Sequence, residues 1–203
     1  MPTPAQILEG LAAIANGGTT SAILWHAILA GVVVAILAGW RPTRRLGALA
    51  VAVPLLSVAV LAMSAGNIFN AVVFFSFAAL LALLALGLPL GGTAPAPTWA
   101  RVVGGTLIAF GWVYPHFLEG ASTLKYLYAA PVGLIPCPTL SALVGFTLVA
   151  NGFSSRAFPL ALGFLGLFYG AFGAFRLGVT VDIVLLTGSV VLMAFALRSN
   201  RGT

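Results

Sequence analysis

An all-helical bundle embedded in a membrane is the fold class this sequence predicts, and three observations predict it. Only 6% of the residues are charged and 61% are hydrophobic. A soluble domain carries about 25% charged residues, so this chain cannot cover a water-facing surface. The mean hydropathy is +1.14. The apolar residues also fall into seven runs near span length, bounded by turn-forming residues.

Residues 4–15, "PAQILEGLAAIA", come first. Ile7, Leu8, Leu11 and Ile14 share a face at helical spacing, which predicts a short interfacial helix within residues 1–18. A water-exposed extension of the first span is the alternative. The bundle proper is expected over 20–197, as one transmembrane domain within 1–203. Its segments run at about 20–40, 46–64 (with Pro54), 69–90, 102–118, 127–153, 157–175 and 179–197. A helix needs about 20 apolar residues to cross a hydrocarbon core of about 30 Å. The fifth segment is broken by Pro131, Pro136 and Pro138. Pro136 and Pro138 remove backbone donors, so Ile135–Cys137 is expected to be extended, with Thr139 capping a helix from about Leu140. Extended backbone at that depth must be buried in protein or face a watery cavity.

The charges orient the spans. With seven spans and the N-terminus outside, the inner side receives Arg41, Arg44, Arg45, Arg101, Arg156, Arg198 and Arg201, the last two in a cytoplasmic tail at 198–203. The outer side receives Lys125 and Arg176, with Glu9, Glu119 and Asp182. Short cytoplasmic loops collect Lys and Arg, so this bias predicts N-out and C-in in a multi-pass membrane protein.

The net charge of +6 could suggest nucleic acid. The nine basic residues form no stripe and fit no binding module, so no nucleic-acid partner is expected and the lipid bilayer is. One cysteine excludes an internal disulfide and a multi-cysteine metal motif. Residues 2–17 lack a basic n-region and include Glu9, so no secretory signal peptide is expected. Gly166 and Gly170 are spaced as G-xxx-G, with Gly163 and Gly173 on nearby faces; they read as close internal helix packing or as a homodimer seam. Gly104 and Gly105 are expected to act alike in the fourth segment.

Seen in this topology, the uncommon polar residues gather at the outer end: His26, Asn67, Asn70, His116, Glu119, Cys137, Arg176 and Asp182. His26 reads as an interfacial histidine beside Trp25 or as a ligand. His116 and Glu119, at i and i+3, are expected on one helix face, where the carboxylate would orient the ring. Two residues are too few for a metal; His26, His116 and Cys137 would make a transition-metal set only if the fold joins them. Two histidines on different helices could ligate a haem. Asp182 is expected to pair with Arg176, or both to sit in a solvated loop. No nucleophile–base pair, phosphate loop or dinucleotide fingerprint is present, so an enzyme is not expected.

"GLIPCPTLSALVGFTLVANG" at 133–152, "PLALGFLGLFYGAFGAFRLGVTVDIVLLTGSVVLMA" at 159–194 and "GNIFNAVVFFSFAALLAL" at 66–83 resemble an uncharacterised family of small bacterial polytopic membrane proteins. The resemblance is carried by Pro136, Cys137, Pro138 and Thr139, and by Leu177, Gly178, Val179 and Asp182. It implies the fold and no activity. A local likeness of "GLIPCP" to nickel and cobalt exporters is not joined by their His-rich motifs. The expected function is therefore binding or passage of a small solute or metal ion through a polar cavity near the outer face, with His26, His116, Glu119, Cys137, Asn67 and Asn70 as ligands. The alternative is a structural or haem-holding subunit of a larger membrane complex, or a homo-oligomer.

Overall fold

A backbone in lipid must satisfy its own hydrogen bonds, and the apolar runs do so as helices. The structure, a computed structural model, describes residues 3–120 and 122–198. The tail at 199–203, with Arg201, lies outside the described residues. Helix α1 spans Pro4–Gly17, α2 Thr19–Leu37, α3 Arg44–Ser64, α4 Ile68–Leu86 and α5 Thr98–Val113. A short α6, Tyr126–Ala129, precedes α7, Pro136–Val149; α8, Ala157–Ala171, and α9, Ile183–Arg198, complete the chain. No strand occurs among the described residues; an isolated bridge, Thr43 to Gly92, ties two loops.

Five helical stretches are long and apolar enough to cross a membrane: Thr19–Leu37, Arg44–Ser64, Ile68–Leu86, Ala157–Arg176 and Thr180–Arg198. Side chains such as Leu24, Val34, Leu83 and Phe175 are exposed on the bundle's outside, a surface suited to lipid. The expected fourth and fifth segments form α5 and α7, of 16 and 14 residues. At 1.5 Å per residue these reach only about 24 and 21 Å.

Neighbouring helices pack as pairs: α3 with α4, α5 with α7, and α8 with α9. Helix α7 lies at the centre, touching α3, α5, α8 and α9. Eleven of its 14 residues are buried, from Pro136 to Leu148. Glycine makes these pairs close. A Cβ on Gly104 would stand 2.6 Å from the Gly145 carbonyl, and one on Gly111 would stand 2.5 Å from the Pro138 carbonyl. Gly163, Gly166, Gly170 and Gly173 all face α9 or the turn leading into it, meeting Met193, Ser189, Leu186 and Asp182. The stripe is thus an internal packing face and not a seam left open for a second copy. Gly105 departs from expectation: nothing lies within 4 Å of its side-chain position.

The proline-rich entry to α7 also differs from expectation. Ile135 is extended (φ −125°, ψ 160°) and caps the helix, but Pro136, Cys137 and Pro138 are already helical. The first N–H groups of a helix have no intrahelical partner, so proline costs little there. Thr139 therefore sits inside the first turn. Its Oγ1 donates to the Ile135 carbonyl at 2.7 Å and accepts from the Gly133 N–H at 2.8 Å, locking the preceding turn.

Helix α1 begins with a capping box between Thr3 and Gln6. Its apolar face docks on protein: Leu11, with Ile7 and Ile14, joins a cluster with Leu134, Ile135 and Phe117. This α1 end of the bundle holds the start of α2 and the starts of α7 and α9. The opposite end holds Arg41, Arg44, Arg45, Arg101 and Arg156, at the ends of α2–α3, α5 and α8, and is called the arginine end below. There Arg44 donates to the Gly92 carbonyl and Arg45 to that of Leu88.

A polar cluster at the α1 end and an apolar cleft beside it

The helix carrying the fourth segment stops at Val113, because Pro115 follows and the residue before proline avoids the helical region. Tyr114 caps it, and His116 and Glu119 fall in the loop beyond, not on a helix face. His116 stacks edge-on with Phe117, ring centroids 4.4 Å apart. Partial burial lowers its pKa below the ordinary 6.5. Asn16 holds this loop: its Nδ2 donates to the Phe117 carbonyl at 2.9 Å and its Oδ1 accepts from the Glu119 N–H at 3.1 Å. Asn16 did not stand out in the sequence, since its partners lie about a hundred residues away.

His26 is buried and edge-on to Trp112. Its Nδ1 is 2.8 Å from the Ala22 carbonyl and its Nε2 3.0 Å from the Trp112 carbonyl. Both nitrogens lie against backbone carbonyls, of which a neutral ring can donate to one, the tautomer deciding which. Trp25 donates to Ser57 Oγ at 3.0 Å. Gly133, at φ +77°, is the only residue type that fits under the Trp25 indole, since any Cβ would collide with it.

Asp182 does not pair with Arg176, which is exposed. Its carboxylate, 1% exposed, accepts from the Tyr114 hydroxyl at 2.5 Å. A π-type turn at Phe172–Arg176 brings Gly173 against that carboxylate, and π turns recur at functional sites. Cys137 flanks the same pair, its sulfur 4.0 Å from the Tyr169 carbonyl. The Tyr169 hydroxyl donates to Asn70 Oδ1 at 2.8 Å, and Asn67 caps α4 through the Asn70 N–H at 3.0 Å. Every candidate lies toward the α1 end of the bundle, but in separate groups. His26 is with Trp112, His116 with Phe117, and Cys137 with Asp182 and Tyr114. Among the described residues no three His, Cys, Asp or Glu side chains come together in metal-holding proximity. Nor is any described buried side-chain polar atom left without a partner. The two tyrosines escaped sequence reading; the signal was that a buried phenol in a lipid-facing bundle needs a partner.

The space in the molecule lies elsewhere. A cleft of about 360 Å³ opens between α2 and the pair α3 and α7. Ile28, Val32 and Ile36 wall one side, Ala50 and Pro54 the other, and Phe146 the back. It runs from Trp25 to Trp40, Arg41 and Pro42 at the arginine end. None of the six expected ligands lines it. The cleft is a wedge, because α2 is pinned only over its first half: at Gly18 by Leu134, at Trp25 by Ser57 and Gly133, and at His26 by Trp112. Its floor includes Phe153, whose ring approaches Gly47. Phe153 sits in a left-handed turn, with φ of 53°, 59°, 56° and 53° at Asn151, Gly152, Phe153 and Ser154. Each non-glycine residue there costs about 1–2 kcal/mol, so the surrounding packing must hold the turn. No family model, no curated protein and no solved structure matches the chain.

Proposed function

We propose that this membrane protein takes up the apolar chain of a membrane-dissolved amphiphile in the cleft between α2 and α3/α7. The carrying observation is the cleft itself: about 360 Å³, walled almost wholly by hydrocarbon and open along the flank of a membrane helix. Helix interfaces that serve only stability close to crystal-like density, as α5 against α7 does here. The strained turn at Asn151–Ser154, spent on seating Phe153 in the floor, supports the same reading. Pro54 adds to it. It withholds the helical N–H from the Ala50 carbonyl, and both residues line the wall. A lipid carrying a photoactivatable acyl chain tests the proposal. Adducts on Val32, Ala50 and Phe146 are expected; adducts confined to outward positions such as Val34 and Leu83 would overturn it.

A second reading keeps the small-solute or ion site at the opposite end, around Asp182, Tyr114 and Cys137. Its support is a buried carboxylate at the head of a membrane helix, a position that costs stability and is kept mostly where it works. Asp182→Asn with unchanged ion tolerance and solute uptake would remove this reading. With the arginine end taken as cytoplasmic, the cleft meets the inner leaflet and the polar cluster lies near the outer face.

A further inference from the structure

Resting on the chain-binding reading of the cleft, we infer that its occupant is an anionic phospholipid of the leaflet at the arginine end, with Arg41 as the headgroup contact. One acyl chain lies in the wedge; the second stays in the bilayer, to which the cleft is open. The lining carries a single charged side chain, Arg41, and it stands at the mouth. Three other arginines of this end are engaged: Arg44 with the Gly92 carbonyl, Arg45 with that of Leu88, Arg101 with Thr98 Oγ1. Arg156 is exposed like Arg41 but does not line the cleft. Among the described residues, Arg41 makes no side-chain hydrogen bond and is exposed. A guanidinium suits a phosphate oxyanion, which it can grip with two parallel N–H donors. Trp40 beside it is 46% exposed, in the manner of a tryptophan anchoring at headgroup depth. Hydrocarbon wall, cation at the rim and indole beside the cation match, in order, the chain, phosphate and interfacial zone of one lipid molecule. A zwitterionic lipid offers the same phosphate but cancels its charge, so the geometry favours the anionic headgroup.

The test is native mass spectrometry of the full-length protein, released from membranes containing equal amounts of phosphatidylglycerol and phosphatidylcholine with matched chains. Wild type is expected to retain phosphatidylglycerol about fivefold over phosphatidylcholine, the value of one basic side chain at a membrane surface. Arg41→Gln should bring phosphatidylglycerol down to the phosphatidylcholine level and leave the latter unchanged, whereas Arg44→Gln should do neither. Ala50→Phe, which fills the cleft, should remove both lipids; Val32→Phe, from the facing wall, serves if Ala50→Phe does not fold. Equal retention of the two lipids by wild type, with both lost in the cleft-filling variant, overturns the anionic assignment and leaves the chain-binding reading standing. Retention untouched by filling the cleft overturns both. A lipid-free pair of chains that Ala50→Phe splits into monomers also overturns both, because the occupant is then a second copy of this protein.

Discussion

Tyr114 and Asp182 meet at 2.5 Å across 68 residues of sequence, and among the described residues neither has an ionic partner. Removing the hydroxyl in Tyr114→Phe strands a buried acceptor, for a loss of about 1–3 kcal/mol in detergent unfolding. Asp182→Asn keeps an acceptor oxygen and should cost less. A double-mutant cycle should give a coupling of at least about 0.5 kcal/mol; additive losses would mean the contact contributes nothing of its own. Gly133→Ala should be as costly as Tyr114→Phe or more, since φ +77° and the Trp25 ring both oppose a methyl group. His116 titrates outside the spans, and burial lowers its pKa. The unfolded chain then takes up its proton first as pH falls below about 6.5, so stability should decline from pH 7 toward pH 5. The ring is only half-buried, so the decline is small; His116→Gln should flatten it, and an unchanged pH profile would count against the assignment. The sequence had marked Asp182, Cys137 and Asn70 as residues of interest, but their partners could not be read there. Tyr114 and Tyr169 look like ordinary interfacial aromatics until the fold sets them opposite a carboxylate and an amide.

Helix boundaries obey local chemistry. Thr3 with Gln6, Thr43 and Asn67 start α1, α3 and α4 with side-chain caps, and the proline pair starts α7 one turn earlier than Thr139 suggested. That misplacement came from treating both prolines as breakers, whereas in a first turn they break nothing. The His116–Glu119 helix face failed for the converse reason, since Pro115 ends α5 before either residue is reached. Close packing was legible as spacing but not as choice of neighbour. Gly104 and Gly105 look equivalent in sequence, yet only Gly104 meets α7. Gly104→Ala should therefore lower stability by about 1–3 kcal/mol through overpacking. Gly105→Ala should leave it unchanged or raise it by up to about 1 kcal/mol through helix propensity. Thermal unfolding in detergent compares the two directly, and equal effects would mean α5 and α7 do not cross as described.

The whole bundle combines tight pairs with one loosely attached helix. Composition pointed to lipid as the solvent, because 6% charge cannot cover a water-facing surface, and the apolar runs of span length supplied the all-helical class. It could not reveal the cleft, since the residues that line it are the same Val, Ile, Ala and Phe that fill a core; only their separation in space differs. Amide exchange should report that separation, with protection falling along α2 from Leu29 toward Leu37 while α7 remains the slowest-exchanging helix. Uniform protection along α2 would show it seated over its full length. The asymmetry gives α2 the mechanics of a cantilever. Its root is clamped at Gly18, Trp25 and His26, and its tip at Trp40 is tethered to α3 only by the short loop at 38–43. A lateral squeeze applied in the leaflet at the tip acts through the full lever arm, while the same squeeze at the root meets a fixed joint. A force applied in the leaflet on the arginine side would therefore bear on the width of the cleft far more than the same force on the opposite side.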